Sequence, residues 1–321
     1  MKKIKIFLLL CVFLALLAGI FYYEGSLPAN SKSKEQQIFV VEKGSSVNQI
    51  INKLSNEGYI RNKIVFLAII KQLGIENNLQ AGDYRISKSM SAKEIAESFT
   101  KGTLDTWVTV IEGLRKEEIA QILSKNFDIP EIEFIQKSTE GKLYPDTYLI
   151  PKSASIQDVL AIFDRNLNKK YSPELREEAR QKGLSDNEVL TLASLVEREA
   201  NSTGSKREVA SILYKRLRND WPLQVDATIQ YVLGYQERER SWWKRNLSKS
   251  DLEIQSLYNT YARPGLPPGP ICSPGIDSIE AVINANENTP YWFYISNKDG
   301  SKLIYSKTIE EHNRNISKYL N

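Results

Sequence analysis

An uncharged apolar run occupies residues 6–23, directly after Lys2, Lys3 and Lys5. Its length is close to the ~20 residues that cross a bilayer as a helix. Lysines on the short side predict a cytoplasmic N-terminus, with Phe21, Tyr22 and Tyr23 at the outer interface, where aromatics anchor. Ala15, Ala18 and Gly19 would also suit a cleaved signal peptide. The run is longer than the roughly 7–15 apolar residues such a peptide needs, which favours an uncleaved anchor. No other segment has the length to span, so everything from about Gly25 onward is expected on the far side. Residues 24–37 are polar and rich in Gly, Ser and Pro, and read as a tether.

Beyond the tether the pattern becomes strand, glycine or serine turn, amphipathic helix. Phe39, Val40 and Val41 lead through Lys43, Gly44 and Ser45 into a helix carrying Val47, Ile50, Ile51 and Leu54. Tyr84, Arg85 and Ile86 lead through residues 87–91 into Ile95, Ala96 and Phe99, and residues 108–111 lead through Glu112 and Gly113 into Ile119 and Ile122. An apolar helix over 64–73, closed by Gly74, lies between the first two units. From about Asp105 helical patterns dominate. A Pro/Gly-rich stretch follows at 263–275, and two candidate strands, 291–295 and 303–305, are joined by a turn at 297–300. The expected class is α+β, divided into a cytoplasmic tail (1–5), a transmembrane helix (6–23), a tether (24–37), a small subdomain (38–104) and a mixed α+β catalytic domain (105–321).

The most informative helix is predicted over 184–200, LSDNEVLTLASLVEREA. Ser185 and Glu188 form a capping box, with Leu184 and Val189 in staple positions. Val189, Leu192, Leu195 and Val196 make the apolar face. Glu199 continues that face, so its carboxyl points inward or into a cleft. It also lies in the last turn, where the helix dipole opposes a negative charge. Desolvation and dipole both raise its pKa, as a proton donor near neutral pH requires. A carboxylate paired with a buried arginine would show the same pattern. Glu197 is about 200° around the helix from Glu199, so the two are not a close carboxylate pair of the retaining-glycosidase kind. A second capping box, Ser205 with Glu208, predicts a helix over 206–218 with Val209, Ile212, Leu213 and Leu217 inward. Gln224, Asp226, Thr228, Tyr258, Asn259 and Tyr261 follow, polar and aromatic groups of the kind that hold sugar hydroxyls and ring faces. Each would equally serve as a turn or core residue.

Composition removes the main rivals. The chain has 321 residues, 41% hydrophobic and 26% charged, which suits a folded chain of one or two domains. A net charge of +4 without a basic, aromatic-interleaved stripe gives no support for nucleic-acid binding. With one histidine, His312, and two cysteines, Cys11 and Cys272, no zinc ligand set is evident and no metal or cofactor is expected. A Ser-His-Asp triad would have to use His312, with no GxSxG turn beside it. Cys11 sits in the apolar run, so no disulfide to Cys272 is expected. There is no P-loop or GxGxxG.

Taken in order, several segments resemble the MltG (YceG-like) family of endolytic murein transglycosylases. They are EGKLYPDTY (140–148), ASLVERE (193–199), KRL (215–217), LQVDAT (223–228), YNTY (258–261), GLPPGPICSPG (265–275) and EEHN (310–313). The first strand-turn-helix unit resembles the start of a LysM module, which binds N-acetylglucosamine polymers. The resemblance covers nearly the whole chain and implies Glu199 as the catalytic residue. It implies cleavage of the β-1,4 bond between N-acetylmuramic acid and N-acetylglucosamine in peptidoglycan glycan strands, leaving 1,6-anhydro ends. Glu197, Gln224, Asp226, Thr228, Tyr258, Asn259 and Tyr261 are the expected substrate-binding residues, with Asp226 or Asp146 as an assisting carboxylate. Cell-wall synthases of the penicillin-binding class are the implied protein partners, at the cytoplasmic membrane. One departure is Ala200, where the family often carries threonine. Help from a hydroxyl there is absent or comes from elsewhere, with Ser202 and Thr203 the nearest candidates. The competing functions are a water-using muramidase and a non-catalytic glycan-binding scaffold.

Overall fold

In a computed structural model of the chain the first helix, α1 (Lys2–Ser26), carries the apolar run. Its Leu9–Ser26 stretch has a mean hydropathy of 1.8 and is long and apolar enough to cross a membrane. The structure describes residues 2–42, 44–76, 79, 82–100 and 105–320. Lys43 of the first turn, and residues 101–104 at the expected end of the small subdomain, lie outside the described residues.

The chain divides into two units, Met1–Thr106 with Pro151–Ser153, and Trp107–Ile150 with Ala154–Asn321. In the first unit β1 (Gln37–Val41), α2 (Val47–Asn56), α3 (Lys63–Gln72), β2 (Gly82–Ile86) and α4 (Ala92–Ser98) follow in order. β1 pairs antiparallel with β2, Phe39 opposite Tyr84. Phe39 and Val41 are buried while Ile38 and Val40 are exposed, the period-2 alternation of a half-covered sheet. Phe39, Tyr84 and Phe99 form an aromatic core that α2, α3 and α4 close with Leu54, Phe66, Ile70 and Ile95. Ser46 with Gln49 and Ser91 with Glu94 cap α2 and α4 reciprocally. α1 continues through Glu24, Gly25 and Ser26, into the polar segment read as tether. Gly25 meets Val65 of α3 so closely that a Cβ there would overlap it, and Arg61 bridges Glu24 at 3.3 Å.

The second unit takes in β3 (Asp105–Val110) from Trp107, then α5 (Lys116–Ser124), α6 (Glu131–Lys137) and β4 (Asp146–Pro151) as far as Ile150, and β4 pairs with β3. Val108, Ile119, Leu123, Phe134 and Ile150 make the core of this part with Val159 and Phe163 of α7 (Ile156–Lys170). Then come α8 (Pro173–Gln181), α9 (Asp186–Glu199), α10 (Thr203–Arg218), α11 (Asp226–Leu233), a 3-10 turn at Asp251–Glu253 and α12 (Ile276–Ile283). β5 (Phe293–Ser296) and β6 (Leu303–Ser306) form a hairpin, and α13 (Ile309–Tyr319) packs on it. α9 is the axis of this core. Its capping box of Ser185 and Glu188 forms, and residues 189–196 are all buried, polar Thr191 and Ser194 included. The Pro/Gly-rich loop supplies one wall: Ile271 N–H donates to Ser194 Oγ at 3.0 Å, and the Cys272 thiol contacts Ser194 O at 3.3 Å.

The start of α10 differs from the capping-box expectation. Ser202, not Ser205, is the N-cap, and its hydroxyl accepts from Ser205 N–H at 3.2 Å. Ser202 has extended backbone, as an N-cap needs. Glu208 is free of capping and accepts instead from the Thr289 hydroxyl.

Candidate active site

Glu199, the last residue of α9, lies on a cavity of about 540 Å³ within the second unit. That volume falls in the range of small-molecule binding sites. Gln224, Asp226 and Tyr261 line it, as do Arg216 of α10, residues 293–296 of β5, Leu303 of β6, and His312 and Leu320 from the C-terminal segment. Gln224 has φ +53, a left-handed conformation uncommon for a residue with a Cβ, and its backbone N–H donates to Thr260 O at 3.0 Å. Asp226 opens α11 and accepts from the Tyr261 hydroxyl.

The electrostatics of Glu199 follow from these neighbours. Burial, with the charge of Asp226 acting in the same sense, raises its carboxyl to about 7. A hydrogen bond from the Tyr294 hydroxyl, then the charges of Arg198 and Arg216, act in the opposite sense. The carboxyl therefore holds both protonation states near neutral pH, as a group that donates and then recovers one proton requires. Burial, and then the Glu199 charge, push the Tyr294 phenol well above its usual value, so it stays a donor. Arg216 does not bond Glu199: its Nε and Nη2 donate to Trp292 O at 2.9 and 2.6 Å, and Nη1 to Leu223 O at 2.7 Å. It ties the strand entering β5 to α10 and leaves its charge near the carboxyl. His312 stacks on Phe293 with ring centroids 5.1 Å apart, and burial, then the Arg216 charge, lower its pKa.

The other expected binding residues go elsewhere. Glu197 is buried on another side of α9, accepting from Lys206 Nζ at 2.7 Å, Gly275 N–H at 2.9 Å and the Ser278 hydroxyl at 2.6 Å. Glu112 reaches the same amine at 3.4 Å, and a Cβ on Gly275 would overlap the Glu112 carboxylate. Glu197, Lys206 and Asp146 line a different polar cavity, of about 570 Å³. Asp146 accepts there from Asn166 Nδ2 at 3.0 Å. Thr228 is fully buried and donates to Val225 O at 2.7 Å. Asn259 is buried too, its amide donating to Leu252 O and Ile254 O, both at 2.9 Å. The Tyr258 ring packs on Tyr231 at 5.0 Å. Ala200 is buried, Ser202 caps α10, and Thr203 donates to Asp277 at 2.6 Å. Tyr294 lines the cavity with Glu199 and was missed by sequence reasoning, as were Arg216, Phe293 and His312. Arg216 left a signal: it sits three and four residues after Leu213 and Ile212, a charge on a buried stripe. Tyr294 left none, because nothing local says which helix its strand faces. Among the described residues no group of three or more His, Cys, Asp or Glu is arranged to hold a metal ion.

Comparison with known proteins places this architecture. The chain is 30% identical to an endolytic murein transglycosylase of Bacillus subtilis (strain 168) over 339 residues, covering 95% of this chain and 91% of the relative. It is also 30% identical to an endolytic murein transglycosylase of Streptococcus pneumoniae serotype 2 (strain D39 / NCTC 7466) over 367 residues. That alignment takes in 97% of this chain, which spans 64% of the length of the pneumococcal protein. A crystal structure of a yceG-like protein from Listeria monocytogenes superposes with a TM-score of 0.55 at 30% identity, covering 88% of this chain and 99% of the other. Residues 39–318 match the YceG-like family, over more than half of the chain, and the chain belongs to it.

Proposed function

We propose that this chain is a lytic transglycosylase of peptidoglycan, with Glu199 as both acid and base. The observation that carries the reading is a single inward carboxyl, raised to about 7, on a cavity in a chain related to endolytic murein transglycosylases. Protonated Glu199 donates to the oxygen of the β-1,4 bond between N-acetylmuramic acid and N-acetylglucosamine. The bond from C1 to that oxygen breaks, the N-acetylglucosamine side leaves with a hydroxyl, and positive charge develops at C1. The Glu199 carboxylate then takes the proton of the muramic C6 hydroxyl as O6 bonds to C1. The product is a 1,6-anhydro end, Glu199 is protonated again, and no water is consumed. Gln224, Asp226 and Tyr261 offer hydrogen-bonding groups to the sugar, and Phe293 and His312 offer ring faces.

Asp226 lies on the same cavity, so a muramidase using it as second carboxylate is the rival that the geometry keeps. Asp226→Asn separates the two. Since the Asp226 charge raises the Glu199 pKa, its removal is expected to move the alkaline limb of kcat/KM to lower pH while anhydro ends still form. Loss of turnover as deep as that of a Glu199 variant would make Asp226 a reacting group.

The apolar α1 supports a single membrane span with the N-terminus inside and the second unit outside. A reporter fused after Asn321 is expected to work only outside the cytoplasm, and activity confined to the cytoplasm would refute the topology. The β1–α2 and β2–α4 units support a LysM-like role in positioning glycan. Removing residues 38–104 is then expected to weaken binding of long strands more than it slows bond cleavage, and a folded deletion that binds and cuts them normally would end that assignment. Cell-wall synthases are the protein partners this reading implies, because they produce the strands that would be cut.

A further inference from the structure

We propose that the second polar cavity holds a peptide stem of the glycan strand, with a stem carboxylate on Arg198 and a stem ammonium on Asp146 and Glu112. The inference rests on the reading of the chain as a peptidoglycan enzyme, because stem peptides are what such strands carry besides sugar. The cavity, of about 570 Å³, is lined by Glu197 and Arg198, whereas Glu199 lines the other one, so the last turn of α9 serves both. Lys206, Glu112, Asp146 and Asn201 complete its polar lining.

Two of these charges are spent inside the protein. Lys206 Nζ bonds one oxygen of Glu197 at 2.7 Å, and Gly275 N–H and the Ser278 hydroxyl take the other. Arg198 is different. Among the described residues its guanidinium pairs with no carboxylate. Its Nη1 reaches Gly113 O at a long 3.5 Å, and its Nε is buried without an acceptor. The Trp243 ring lies against it, 3.8 Å from centroid to guanidinium, and Trp243 is itself tied to Glu118 through its Nε1 at 3.2 Å. That stack fixes the guanidinium plane and leaves N–H groups on its edge, the fork that suits a carboxylate.

The carboxylates of the cavity set the other half of the ligand. The Glu112 and Asp146 side chains stay 49% and 39% exposed, and their nearest cations are 3.4 Å away for Glu112, at Lys206, and 4.0 Å away for Asp146, at Lys170. A ligand that was only an anion would meet them as like charges. A ligand carrying both signs satisfies Arg198 and these carboxylates together. Stem peptides combine carboxylates with the amine of a diamino acid, and so have that chemistry.

The test is a calorimetric titration of the full chain, in detergent micelles, with the free peptide N-acetyl-Ala–γ-D-Glu–Lys–D-Ala. Saturable binding is expected. Amidating both peptide carboxylates should weaken it about ten- to a hundred-fold, the size of a charge-assisted hydrogen bond. Arg198→Gln should cost about as much, and the amidated peptide should lose little more on that variant, because both changes remove one contact. Arg198→Lys, which keeps the charge but not the fork, should recover only part of the affinity. Acetylating the peptide lysine, or Asp146→Asn, should each weaken binding about two- to five-fold, as a partly exposed ion pair would. No binding at about 1 mM peptide, amidation without effect, losses that simply add between peptide and variant, or acetate displacing the peptide at equal concentration would each overturn the inference. The amidated peptide needs no variant, so the test stands even if Arg198→Gln folds poorly. It also needs no cleavage: a chain that leaves anhydro ends yet ignores the peptide fails here alone, whereas one that binds the peptide and leaves no anhydro ends overturns the reading of the cut.

Discussion

Glu199→Gln is expected to stay folded and to lose at least about 10²–10⁴ in rate, the usual contribution of a positioned acid or base. Glutamine keeps the shape of the side chain and a carbonyl oxygen that can accept, so the site geometry should survive. What it cannot do is give a proton to the glycosidic oxygen or take one from the muramic hydroxyl. Both steps use the same carboxyl, which is why the loss should be in kcat and deep. Melting temperature should hold or rise, because a carboxyl that burial already disfavours is replaced by a neutral amide. Turnover near the wild-type rate in a folded variant would remove Glu199 from the mechanism.

The second large effect is on stability, two residues earlier. Glu197 and Lys206 form an ion pair at 2.7 Å with side chains only 6% and 5% exposed. Burial opposes the charge on Lys206, but the hydrogen bond and charge of Glu197, then those of Glu112, more than offset it and its pKa is raised. Removing one partner of such a pair leaves the other buried and unpaired, which costs about 3–5 kcal/mol. Lys206→Met and Glu197→Gln are each expected to fall in that range, lowering Tm by roughly 6–20 °C for a unit of this size. The double variant should lose less than the sum, because neither charge is then stranded. Below the melting transition Glu197→Gln should retain most of its kcat, since Glu197 faces Gly275 and Ser278 and is not on the Glu199 cavity. An unchanged Tm with lost turnover would instead place the acid at position 197.

These two glutamates show how far the sequence could be read. Ser185 and Glu188 located α9 because a capping box is a local device, and helical spacing then put Glu199 on the inner face. The same spacing set Glu197 about 200° away, yet could not say that this side is interior too, because α9 is covered all round by other elements. Gln224, Asp226 and Tyr261 come together on the cavity, whereas Thr228 and Asn259 spend their groups on backbone within the fold. Sequence alone could not separate the two sets, since a side chain that binds a turn and one that binds a sugar are the same residue types. The N-cap of α10 was ambiguous for a related reason. Ser202 and Ser205 are both capping residues, and the choice depends on tertiary anchoring, with Thr203 held by Asp277 of α12. Tyr294 is the furthest from legibility, because its arrival on the Glu199 cavity depends on a hairpin almost a hundred residues later and on Arg216 holding the approach to that hairpin.

The most direct test of the central claim is mass spectrometry of the ends formed when the purified chain cuts peptidoglycan glycan strands. New ends carrying 1,6-anhydro-N-acetylmuramic acid are expected, one per cleavage, with no oxygen taken up from labelled water and with the signal lost in Glu199→Gln. Reducing ends carrying the water label, or anhydro ends that persist undiminished in the folded Glu199→Gln enzyme, would contradict a transglycosylase run by that single carboxyl.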